Sequence, residues 1–255
     1  MLRDRKYRRP PLIEVLCDFY FEGDEGHEWD SIRVSEFATA ARGRGYPFDK
    51  TLHGRGPTSP RGTSRRSKGR RRVRYDYRHS FTSEDGNKTT QVGENLLVVN
   101  QLPPYYGWQK FRNESLACLE LYKSIWTPTQ VVHAGLHYVD IVEVPGEALF
   151  IDDYFKLYPV LPEGSEEWSV NNLAMAFEVS GKQPGDVCTI AYHHRPSSSP
   201  AVNSFRFRWD YISLDGFALD LAVAEKWLDT AHAFVDRAFR SAFTEECERL
   251  FEPED

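Results

Sequence analysis

Residues 11–22 (PLIEVLCDFYFE) alternate in polarity along their whole length. Ile13, Val15, Cys17, Phe19 and Phe21 fall on one face of an extended strand, and Glu14, Leu16, Asp18, Tyr20 and Glu22 on the other. Gly23 and Gly26 end that strand. A helix is then expected from Glu28 to Arg42, with Trp29, Ile32, Val34, Phe37 and Ala40 as its apolar stripe. Residues 43–72 break the order. Six glycines and three prolines are interleaved with basic residues, and no apolar period survives from Lys50 to Arg72, so 50–72 reads as a disordered basic loop.

Order resumes at Val73. Segments 73–82 and 89–99 bracket SEDGN, and Asp85-Gly86 is a hairpin signal. After the Pro-rich break LPPYYGW, apolar residues from Trp108 to Trp126 recur at three- and four-residue spacing, and Pro128 ends this helix. Residues 130–144 predict a long strand, Asp152 to Tyr158 a short helix, and 172–180, 185–195 and 203–214 three more strands. Trp227, Leu228, Ala231, Phe234, Val235, Ala238, Phe239 and Ala242 predict one final helix from Leu221 to Leu250. The pattern implies an α+β protein, a mostly antiparallel sheet gripping long helices. The order strand, helix, strands, helix occurs twice, over 1–126 and 130–255. This suggests an internal duplication, as two units or as one compact domain.

Charge changes the picture. Residues 1–9 hold five Arg or Lys and one acid; residues 55–78 hold ten and one. The other 222 residues carry 17 basic and 36 acidic groups, a net of −19 that the whole-chain −6 conceals. Basic arms on an acidic body point to an anionic partner, or to arms that fold onto the body itself. Cys17, Cys118, Cys188 and Cys247 form no CxxC pair, which predicts reduced core thiols. The charged N-terminus is unlike a signal peptide, and no run reaches the ~18 apolar residues of a membrane span. A soluble, cytoplasmic protein with no membrane partner is expected.

PPLIEVLCDFYFE, FTSEDGNKTTQVGENLLVVNQLPPYYGWQKF, AGLHYVDIVEV and WLDTAHAFVDRAFRSAFTEE, in that order, resemble a sporadically distributed family of bacterial proteins of about 250 residues with no assigned activity. The motifs are the Pro-Pro-Leu strand opening, Leu-Val-Val-Asn and Tyr-x-Gly-Trp-x-x-Phe. The resemblance implies a passenger of mobile or antiviral-defence-type gene cassettes and supplies no active site. The arginine-rich stretch 61–74 is longer and more basic than that pattern demands, which leaves open a functional loop or a tolerated insertion.

Candidate chemistry is sparse. Arg61, Arg65, Arg66, Lys68, Arg70, Arg71, Arg72 and Arg74 could neutralise phosphates, and Tyr75 and Tyr77 could stack on bases; a solvated loop is the plain alternative. No base-reading motif accompanies them, so binding would be weakly sequence-specific. His193 and His194 point to opposite faces of a strand, and His133 and His137 lie about 13 Å apart along one at roughly 3.3 Å per residue, so no metal site is expected. No nucleophile elbow, phosphate loop or dinucleotide fingerprint occurs, and no cofactor is implied. Cys17 reads as core packing. Asp140, Glu143, Asp210 and Asp215, with the Asp152-Asp153 and Glu166-Glu167 pairs, show no fixed catalytic separation. Tyr105, Tyr106, Trp108 and Phe111 either line a cleft or partner groove or pin a helix start to the sheet.

The function expected is that of a non-enzymatic binding or adaptor protein of a multi-component bacterial system. It would contact an anionic partner, most plausibly nucleic acid, through the Arg-rich loop. The alternatives are a module binding an effector- or toxin-type protein from a neighbouring gene, and a small-molecule binder with a cavity between sheet and helix. A polar-lined cavity with perturbed titration would favour the last.

Overall fold

The alternation of the first strand is realised as β1 (Leu12–Phe21), whose Val15, Cys17 and Phe19 are wholly buried. A computed structural model describes residues 7–22, 29–54, 76–146, 151–160, 162–164, 172–197, 199 and 201–254. Along it follow α1 (Ser31–Gly43), β2 (Phe48–Gly54), β3 (Asp76–Thr82), β4 (Lys88–Gly93), β5 (Leu96–Gln101) and α2 (Trp108–Trp126). The second half holds β6 (Gln130–Pro145), α3 (Ile151–Tyr154), β7 (Ala174–Ser180), β8 (Asp186–Arg195), β9 (Val202–Ser213), β10 (Phe217–Ala218), α4 (Leu221–Ala242) and α5 (Glu245–Leu250). The protein is α+β, as the pattern predicts.

The ten strands form one antiparallel sheet in the order β2-β3-β4-β5-β1-β6-β9-β8-β7, with β10 paired to β6. β1 and β6 are the seam where the two halves of the chain meet. Outward from it the order β1-β5-β4-β3 is matched by β6-β9-β8-β7. Each side ends in a long helix laid back on the sheet, α2 on one and α4 on the other. Inward residues of the central strands and the apolar faces of α1, α2 and α4 make the core. On α4, Trp227, Leu228, Ala231 and Val235 are buried, and each large side chain there contributes about 1.5–3 kcal/mol.

Several elements differ from the sequence pattern, among them α3, which ends at Tyr154 rather than Tyr158, and the unexpected β10. Residues 50–54 lie in β2 rather than in a loop: β2 is a sheet-edge strand fixed by its ladder to β3, which needs no apolar period. The run 89–99 splits into β4 and β5, because Asn95 turns the chain at φ 58°. The stripe of α1 is Val34, Phe37, Ala38 and Ala41, at i, i+3, i+4 and i+7, while Ile32 is 70% exposed. The last helix breaks at Phe243, which leaves the helix to bridge Phe155, and Thr244 caps α5 by accepting from Cys247 N (3.2 Å). Among the described residues no helix is long and apolar enough to cross a membrane.

Candidate functional site

Alternation along β6 sends Tyr138 and Asp140 to the helix side of the sheet. Trp209 of β9 stands directly opposite Tyr138. On α4, His232, Val235, Asp236, Phe239 and Arg240 recur at three- and four-residue spacing, so they share the face turned to these strands. Residues 105–108 close one side, and residues 7–12 with Glu254 another. The result is a cleft of about 480 Å³ between sheet and helix.

Its walls are fixed by specific contacts. The Trp108 ring stacks on His232 at 4.2 Å and 9°, and its Nε1–H donates to Asp229 Oδ1 (2.8 Å). Arg112 grips both Asp229 oxygens (3.0 and 2.8 Å), which ties the start of α2 to α4. His232 Nδ1 and Tyr138 Oη lie 2.9 Å apart. Arg240 forks onto both oxygens of Asp236 (3.0 and 3.1 Å). Tyr7 packs edge-on against Phe251, while Arg8 N and Arg9 N donate to the carbonyls of Glu252 (2.9 Å) and Phe251 (3.0 Å). Arg9 Nε also meets Glu252 Oε1 at 3.0 Å, so the described end of the basic N-terminal run is folded onto the acidic body.

Asp140 is the unusual group of this cleft. It is 3% exposed and accepts from Trp209 Nε1–H at 2.7 Å. Among the described residues no cation lies within ion-pair reach of it. Burial pushes its carboxyl up to about 7, against the smaller lowering by the indole hydrogen bond.

A second cluster lies on the opposite sheet face, where no described helix packs. The β1–β6–β9 register places His137 beside Asp18 and directly opposite Asp210. His137 Nδ1 meets Asp210 Oδ1 at 2.8 Å, and Nε2 meets Asp18 Oδ2 at 3.6 Å, the first a hydrogen bond and the second an ion pair. Arg208 Nη2 donates to the other Asp210 oxygen (2.9 Å). Burial pulls the imidazole pKa down, but the two carboxylates outweigh it and raise it to about 9. Burial likewise pushes Asp210 up, and His137 and Arg208 more than reverse this, leaving it below the usual value. Gly135 makes the room: a Cβ there would lie inside the envelopes of His137 Nε2 and Asp18 Oδ1. Gly135→Ala should therefore cost about 1–3 kcal/mol by overpacking. It should also lower the His137 pKa, read by the pH dependence of its ring proton shifts; an unchanged titration would separate Gly135 from the cluster.

Of the predicted site residues, Tyr105, Tyr106 and Trp108 line the cleft, with Tyr106 at its exposed rim beneath Lys110 (5.5 Å to the ring centroid). Phe111 is core. Arg61, Arg65, Arg66, Lys68, Arg70, Arg71, Arg72 and Arg74 lie outside the described residues, as do Tyr75, Glu166 and Glu167. His194 packs on Phe205 (5.1 Å). Cys17 is buried, and burial raises its thiol well above the ordinary value. A larger groove of about 1110 Å³ follows the outer side of α4, but its buried carboxyl, Asp186, already accepts from Tyr211 Oη (2.8 Å) and Trp227 Nε1 (3.4 Å). No protein-family model matches the chain, and no curated protein matches it.

Proposed function

We propose that this chain is a small-molecule-binding protein whose site is the aromatic cleft between β6, β9 and α4. Asp140 carries the reading: a buried carboxyl with no counter-charge among the described residues, on the wall of a cavity lined chiefly by aromatic and apolar side chains. Ligand-observed NMR with a panel of neutral, cationic and anionic fragments tests it. Fragments should compete for one site and be lost in Trp108→Ala, which removes a wall. Absence of any hit, or hits indifferent to that substitution, would overturn it.

Charge segregation supports a second reading. The Arg-rich stretch would bind a polyanion such as nucleic acid, in the manner of an adaptor. Wild type should retard DNA at low salt and release it at higher salt, and a variant with Arg65, Arg66, Arg70, Arg71 and Arg72 changed to Ala should not. Identical mobility of both proteins at both salts removes this reading.

A further inference from the structure

Resting on the reading of the cleft as a ligand site, we infer that its ligand is an organic cation, an amine or quaternary ammonium with an apolar body. The charges facing the cleft from every packed element decide this. On α4, Asp236 and Arg240 neutralise each other in a two-point pair, and His232 is engaged by Tyr138 and the Trp108 ring. The C-terminal tail adds Glu254. Residues 105–108 and 7–12 line it with aromatic and apolar groups, and the two charges of these segments, exposed Arg8 and Arg9 in its ion pair with Glu252, are not part of the lining. β9 adds Trp209, whose indole takes up one oxygen of Asp140.

Among the described residues that line the cleft, the charges left uncompensated are negative: Asp140 on the wall and Glu254 at the rim, while Lys110 stands outside the lining over the Tyr106 ring. An anionic ligand would meet both carboxylates. A neutral ligand would leave Asp140 without a counter-ion. A cation supplies the missing charge, and the faces of Tyr, Trp and Phe side chains attract it further. A bare metal ion is a poor fit. It needs several oxygen or nitrogen ligands, and no group of three or more His, Cys, Asp or Glu among the described residues could hold one.

The cation also changes the protonation of its own site. Asp140 is largely protonated below its raised pKa of about 7, so binding at pH 6 must expel a proton and binding at pH 8 need not. Affinity should rise with pH between those values.

The test pairs cations with uncharged isosteres on the whole chain: choline against 3,3-dimethyl-1-butanol, and pentylammonium against 1-pentanol, by titration calorimetry at pH 6 and 8. At least one cation should bind tenfold or more tighter than its isostere at pH 8. At pH 6 it should release protons, seen as a heat that depends on the buffer. Asp140→Asn, checked for folding by near-ultraviolet circular dichroism, should lose the preference and keep the affinity for the isostere. Absence of a cation preference across the panel, or its survival in Asp140→Asn, overturns the inference. In that case fragment binding lost in Trp108→Ala still upholds the cleft as a ligand site. Failure of every fragment removes the cleft reading as well.

Discussion

Replacing His137 with alanine should destabilise the protein by about 3–5 kcal/mol at pH 7, the usual cost of removing one partner from a buried ion cluster. The loss is mainly of counter-charge. Without the imidazolium, Asp18 and Asp210 face each other across the β1–β6–β9 ladder at 15% and 11% side-chain exposure, with only Arg208 left to pair with Asp210. The pH dependence identifies the mechanism. His137 has a folded-state pKa near 9 against 6.5 in its ordinary state. Its contribution is therefore full below about pH 6.5 and fades as pH rises through 9, a change of about 3 kcal/mol. Urea unfolding of wild type and His137→Ala at pH 6 and pH 10 should show the difference between them shrinking at the higher value. A constant difference would mean that His137 is a neutral packing residue.

That cluster shows where the sequence stops being legible. Asp18, His137 and Asp210 sit on three strands, and the distances between them are set by register. Each strand was readable by its own alternation, but nothing within a strand says that Leu16 lies opposite His137 or that His137 lies opposite Asp210. The pattern along the chain therefore offers His137 only with His133 and Asp210 only among unpaired carboxylates, and it passes over Asp18. The adjacent Gly135 is the single local cue, since a glycine inside a strand marks a close approach.

The legible part was local. β1, α2 and β6 follow from period alone, because one face of each is buried along its whole length. Pattern and structure part where a backbone event competes with an apolar run. Phe243 continues the apolar period of α4, yet the helix ends there, since Phe243 pairs with Phe155 and Thr244 starts a new helix. β2 shows the reverse case, a strand of FDKTLHG without an apolar period that is held by its backbone ladder to β3. Tyr105, Tyr106 and Trp108 were visible as an aromatic cluster. Their partner Asp140 was not, because a carboxylate in a strand reads as surface until the helix that covers it is placed.

Asp140→Asn should have the opposite effect to His137→Ala and should stabilise the protein at pH 8. The folded-state pKa of about 7 lies above the ordinary 3.8. The folded protein then holds a proton that the unfolded chain has released, and stability falls as pH rises from about 4 to 7. The charge penalty reached above pH 7 is on the order of 4 kcal/mol, about 1.4 kcal/mol for each pH unit of displacement. Asparagine carries no charge, and its carbonyl can still accept from Trp209 Nε1. Its amide hydrogens must find water in the cleft, which returns about 1–3 kcal/mol. The net gain at pH 8 should be about 2 kcal/mol, and at pH 4.5, where Asp140 is already neutral in the fold, the variant should gain nothing or lose slightly. Chemical denaturation at the two pH values reads the crossover, and a variant less stable at both would show that Asp140 is held ionised at little cost. The same penalty bears on the ligand. A bound cation removes it from wild type but has nothing to remove from Asp140→Asn, so the same concentration of choline or pentylammonium should raise the melting temperature of the wild type more than that of the variant.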